Sequence, residues 1–173
     1  MYKKYFNLLL LPLIICLAAC ENKQMNEMED QHKAAAVKVI EVFDSGNVDE
    51  LDAIIAEDAV DHQLDTSITK KTGLEGVKEL FSYFHRFFPD MKTTIHSIAV
   101  SGDTVFIYST SVGTTSEPFM GMQANQRHTI SGVDILRFEG EKAVEHWGFI
   151  DVAQMMEMMQ SPMHQDNSMM NNK

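Results

Sequence analysis

The chain has 173 residues, 45% hydrophobic and 23% charged, with 14 Lys+Arg against 25 Asp+Glu and a formal net charge of −11. That acidity argues against nucleic acid as a partner, because a phosphate backbone rewards basic patches and no Lys/Arg cluster follows the N-terminus. The length suits one domain with a real core rather than two. With Cys16 and Cys20 as the only cysteines, the downstream domain is expected to hold no disulfide, cysteine nucleophile or thiolate metal site.

Lys3 and Lys4 precede an uncharged apolar run from about Leu8 to Ala19, the layout of a secretory signal. The run is shorter than the roughly 20 apolar residues a spanning helix needs, and it stops at Glu21 and Asn22. Residues 1–19 are therefore expected to direct the chain and then be removed. Leu17-Ala18-Ala19-Cys20 resembles the lipobox of bacterial lipoproteins, in which the cysteine becomes the lipidated first residue. The resemblance implies a domain held by lipid at a membrane of the cell envelope, facing the periplasm or the exterior. The alternative is an ordinary cleaved signal that happens to end near a cysteine.

Residues 20–30 are polar and acidic, with little to bury, and read as a tether. The domain is expected over 31–154. A helix beginning near Gln31 carries Ala36, Val37, Ile40 and Phe43 at helical spacing, with Gly46 where a C-cap would fall. Asn47 and Glu50 have capping-box spacing before a short helix with Leu51, Ile54 and Ile55 on its apolar face. Thr72 and Glu75 repeat that spacing before Leu74, Val77, Phe81, Phe84 and Phe88, and Pro89 ends this third helix. A short strand around Ala59 to Gln63 lies between them.

From Met91 onward β-branched and aromatic residues alternate in runs separated by turn signals at Ser101-Gly102-Asp103 and Glu139-Gly140-Glu141. Strands are expected near 92–100, 104–115, 127–138 and 142–151, with tight hairpins joining the first two and the last two. Helices first and an antiparallel meander afterwards predict an α+β domain, helices covering one face of a curved sheet. Residues 155–173 are rich in Met, Gln and Asn and read as a fraying helix and a loose tail. Their thioethers, with His164, suit a soft metal such as Cu(I), but no short repeated spacing supports a dedicated site.

Several motifs occur in order: Ser45-Gly46-Asn47-Val48-Asp49-Glu50-Leu51, Ala59-Val60-Asp61-His62, Gly73-Leu74-Glu75-Gly76-Val77-Lys78 and Phe87-Phe88-Pro89-Asp90. Gly132-Val133-Asp134-Ile135-Leu136-Arg137-Phe138 and Glu145-His146-Trp147 follow. Together they resemble the SnoaL-like polyketide cyclase and ester cyclase family, whose cone-shaped fold is that of nuclear transport factor 2. The resemblance implies an enclosed pocket for a small hydrophobic molecule, and cyclase chemistry that removes a proton α to a carbonyl without cofactor or metal. It also implies, by analogy of fold, a homodimer formed through the outer sheet face. The sequence departs from the family at one place. The position after Glu145-His146-Trp147 often carries the aspartate assigned as acid/base in the cyclases, and here it is Gly148.

Strand alternation puts His128, Ile130, Gly132, Asp134 and Leu136 on one face, and Val144, His146, Gly148 and Ile150 on one face of the next strand. Asp134 and His146 are thus candidate neighbours and candidate acid/base residues, since a carboxylate orients a ring and burial tunes both. Each also has a structural reading: Asp134 pairing with Arg137 or a hydroxyl, and His146 as a satisfied core histidine. Asp61, like Asp134 and His146, is a candidate substitute for the acid/base group missing at Gly148. Asp61 and His62 are candidate ligand contacts or turn caps, His128 a rim residue or ligand contact, and Trp147 a pocket contact. Phe119 and Met122, in the loop before the strand near 127–138, either close over a greasy ligand or complete the core.

Overall fold

The computed structural model describes residues 6–160, and the side chains of residues 24–157. Helix α1 runs Phe6–Ser45 as one element, so it begins well before Gln31. Residues 21–30 are mostly good helix formers, and with almost all of residues 24–31 exposed no apolar stripe announces the helix there. Burial begins at His32 and continues through Ala36, Val39 and Val42, with Ala35, Ile40 and Phe43 beside that stripe. Gly46 ends the helix at φ +74, its N–H donating to Val42 O at 2.9 Å.

Val48–Ala53 forms a 3-10 turn whose Leu51 is fully buried. The side chains of Asn47 and Glu50 bond to each other at 3.4 Å instead of capping the backbone. Strand β1 (Ile55–Asp61) follows, then α2 (Gly73–Phe87). Thr72 holds the expected N-cap position, but its side chain makes no cap bond, and Glu75 reaches Lys71 instead. Gly73 has φ +62, and a Cβ there would stand 2.1 Å from Glu57 O, so the start of α2 closes directly onto β1.

Strands β2 (Lys92–Ser101), β3 (Thr104–Thr114), β4 (Arg127–Glu139) and β5 (Lys142–Ile150) agree closely with the expected runs. The sheet order is β1-β5-β4-β3-β2. All neighbours are antiparallel except β1, which joins the edge beside β5 in parallel and makes the sheet mixed. Helix α3 (Val152–Gln160) follows β5, and Gln154 Oε1 accepts from Ser131 N at 2.6 Å. The tail with Met163, His164, Met169 and Met170 lies outside the described residues. Among those described, no helix is long and apolar enough to cross a membrane.

One face of the sheet meets the helices. Val105, Ile107, Leu136, Phe138 and Ala143 pack there against Ala36, Val39 and Val42 of α1 and Leu74 and Val77 of α2. A second apolar cluster joins Phe87, Phe88 and Met91 to Phe119 and Met122. The opposite face leaves Phe106, Tyr108 and Phe149 exposed. His32 ties the layers together. Its ring stacks on Phe138 at 4.6 Å, with Nε2 2.8 Å from Gly140 O and Nδ1 3.4 Å from Gly102 O, the turns of the two hairpins.

Candidate active site

Along the helix-covered face the apolar rows give way to small and polar residues. Register sets this change: Ile107 pairs with Asp134 and Asp134 with Gly148, while Ser109 pairs with Gly132 and Leu136 with His146. β1 adds Asp61 beside His146. Because side chains alternate with period 2, Asp61, Asp134 and His146 fall on one face and converge from three strands.

His146 stands between the two acids. Its Nδ1 donates to Asp61 Oδ1 at 3.1 Å and its Nε2 to Asp134 Oδ1 at 3.3 Å. Burial lowers the ring's pKa, but the hydrogen bonds to Asp134 and Asp61 and the field of both carboxylates outweigh it. The balance raises the value from 6.5 to about 9. The ring is therefore an imidazolium at neutral pH, a proton donor and positive charge rather than a resting base.

The two acids differ in access. Asp61 is 4% exposed and Asp134 30%, with His146 at 26%. Asp61 Oδ1 also accepts from Gln63 N at 2.7 Å, a side-chain turn that closes β1 and fixes the carboxylate behind the ring. Asp134 does not pair with Arg137, which faces the other way and binds Glu139 and Glu145. Its carboxylate is left partly accessible.

Gln63 was not anticipated from the sequence. Its Nε2 donates to Gly148 O at 2.9 Å, and a Cβ on Gly148 would stand 3.1 Å from Gln63 Cγ and 3.6 Å from Asp134 Oδ1. The space a side chain at 148 would enter is thus shared by the Gln63 chain and the Asp134 carboxylate. The spacing Asp61-His62-Gln63, an acid two residues before the amide it accepts from, is the only signal that pointed to this turn.

Other candidates lie elsewhere. Alternation sends His62 and Trp147 to the opposite face, where their rings stack at 5.0 Å and His62 Nε2 meets Glu145 Oε1 at 3.0 Å. That corrects their reading as companions of Asp134 and His146, since only one of two adjacent strand residues can face inward. Phe119 and Met122 are each 6% exposed and packed with Phe87, Phe88 and Met91, the core-completing alternative. His128 faces inward opposite Gly113 and lies edge-on to Phe88. Its Nε2 has no partner among the described residues, and burial lowers its pKa, favouring the neutral ring. Cys20 lies within α1, with its side chain outside those described. A groove of about 490 Å³ along α2, lined by Glu75, Lys78, Glu79, Ser82, Tyr83 and Arg86, shares no residue with the His146 cluster.

Comparison with known proteins bears on the family and the fold. The family described as SnoaL-like polyketide cyclase matches residues 33–159. No curated protein sequence matches significantly. Among solved structures the chain is similar to IdmH from Streptomyces antibioticus, at 28% identity and TM-score 0.64, over 75% of this chain and 98% of that one. TsrD from Streptomyces laurentii is similar at 17% identity and TM-score 0.67, over 77% and 97%. A SnoaL-like polyketide cyclase from Agrobacterium tumefaciens is similar at 14% and 0.61, over 73% and 95%. At those last two identities the likeness is one of fold.

Proposed function

This chain belongs to the SnoaL-like polyketide cyclase family, and from that premise we propose that it acts on a small hydrophobic carbonyl or ester molecule, with Asp134 as base and His146 as acid. The observation that carries the reading is the asymmetry of the cluster: an imidazolium between a buried carboxylate and an accessible one, on the helix-covered face. Asp134 takes a proton from a carbon α to a carbonyl. The electron pair moves to the carbonyl oxygen, where the His146 N–H donates and offsets the developing charge. Attack of the enolate carbon on a second carbonyl forms the ring bond, and the proton held by Asp134 passes to the new alkoxide.

Gly148 bears on this scheme in two ways. The residue removes the acid/base group expected there by family resemblance, yet Asp134 Oδ1 comes within 3.6 Å of where that side chain would begin. A carboxylate from the partner strand therefore supplies the same region. Equally, the missing group favours a second reading, a binding module of the same fold without chemistry.

Turnover of esters and β-dicarbonyl compounds by the wild type and Asp134→Asn tests the first reading. The expected result is a loss of about 100-fold or more in kcat with KM little changed. Equal turnover in both proteins sinks it. No turnover in either, with equal thermal stabilisation by lipophilic ligands, favours the binding module.

We also propose that Cys20 carries lipid and holds the domain at the cell envelope. Support comes from the short apolar run and the Leu17-Ala18-Ala19-Cys20 sequence.

A further inference from the structure

We propose that Asp61 is a positioning residue, which fixes the His146 ring from behind through Nδ1 so that its Nε2–H faces Asp134 and the ligand. The inference rests on the acid/base reading of Asp134 and His146 and adds to it a third residue whose work is done without touching substrate.

Geometry separates this role from a ligand contact. At 4% exposure the Asp61 side chain is closed off from a ligand, whereas Asp134 at 30% and His146 at 26% are accessible. The Gln63 N–H at 2.7 Å anchors the same oxygen that meets the ring. A backbone donor two residues along holds the carboxylate in one orientation, and the carboxylate in turn selects the ring flip and keeps a proton on Nδ1. The strand ladder contributes as well. Asp61 and His146 are paired in register, and His62 N donates to His146 O at 3.0 Å, so β1 fixes backbone and side chain together.

The charge on Asp61 has its own consequence. Of the titratable groups around the ring, Asp61 comes from β1 and Asp134 from β4, while Glu145 and His62 meet each other on the opposite face. Gln63, the other side chain close to Gly148, is neutral. The Asp61 carboxylate still faces Nδ1 when Asp134 has accepted a proton from substrate, so the ring keeps one counter-charge through the step that needs its donor. With an uncharged residue at 61, that retention would depend on Asp134 alone. A simple strand tie would need the hydrogen bond and not the charge.

Asp61→Asn separates the two, since the amide oxygen still accepts from Gln63 N and from the ring. Nitrogen-detected NMR of the full chain follows both ring nitrogens of His146 against pH in the wild type, Asp61→Asn and Asp134→Asn. The wild type is expected to titrate near pH 9 with a slowly exchanging Nδ1–H. Asp61→Asn is expected to lower the midpoint by about one pH unit or more and to make Nδ1–H exchange faster. Asp134→Asn is expected to lower the midpoint while leaving Nδ1–H protected.

An unchanged midpoint in Asp61→Asn overturns the proposal. Should that variant not fold, the wild type alone decides: an Nδ1–H that exchanges as freely as an exposed ring, or a ring that titrates near 6.5, overturns the proposal, and a protected Nδ1–H on a ring that titrates near pH 9 upholds it. Because no substrate is involved, failure here is distinct from failure of the acid/base reading, which is decided by turnover in Asp134→Asn.

Discussion

At the scale of single residues, the cluster around His146 shows how one proton can be held in place. An isolated imidazole half out of water would lose its charge, since burial penalises the cation. Two carboxylates reverse that. The folded pKa of about 9 lies above the unfolded 6.5, so the ion pairs contribute fully below about 6.5 and lose their contribution as pH rises through about 9. A shift of that size corresponds to roughly 3 kcal/mol at most. His146→Gln keeps hydrogen-bonding capacity without the charge. Urea unfolding of both proteins on either side of pH 9 should show the wild type losing stability with rising pH and the variant losing much less. Parallel slopes would mean that the ring is not held as a cation.

Part of this cluster was legible in the sequence. Period-2 alternation, applied to the strands with Asp134 and His146, puts them on one face, and hairpin pairing makes them neighbours. The same rule also shows that Asp61 and His62, or His146 and Trp147, cannot both face inward, although all four stood among the candidate site residues. What alternation does not supply is depth. Nothing local distinguishes the 4% exposure of Asp61 from the 30% of Asp134, because depth depends on which helix or turn covers each strand.

At the scale of elements, β2 to β5 were readable because β-branched alternation and the Gly102 and Gly140 turns act within a few residues. The early start of α1 was not, since an exposed helix in a polar stretch has no stripe to reveal it. The parallel partner of β1 was equally hidden, because periodicity tells that a strand exists and not where it lies in the sheet. His32 is the clearest case of a long-range role without a local signal. It fastens α1 to the turns at Gly102 and Gly140, more than a hundred residues apart from the second of these in the chain. His32→Ala removes a ring that is 2% exposed and stacked on Phe138. The expected cost is about 2–4 kcal/mol in chemical denaturation. Amide exchange should quicken around both turns and little elsewhere. Exchange that rises uniformly would show that the ring does not act as a local fastener.

At the scale of the whole molecule, the proposed anchor and the folded domain make separate demands. The domain is held by its own core, whereas the proposed residence at a membrane would depend on Cys20. Cys20→Ser is therefore expected to abolish incorporation of labelled fatty acid and to move the protein from the membrane to the soluble fraction, with its thermal unfolding unchanged. Retention of the variant at the membrane would refute lipid attachment at that position.

The parallel seam at the sheet edge also constrains biosynthesis. Among the described residues β1 is the earliest strand to be made, yet its partner in the sheet, β5, is the last. Until the ribosome has released nearly the whole domain, Asp61 has no ring to bind and β1 has no backbone in the sheet to pair with. A nascent chain cut short before Lys142 would hold two of the three strands that converge on His146 and lack the histidine itself. Assembly of the proton-handling cluster is thus tied to synthesis of β5, and chains that stop before it cannot display it.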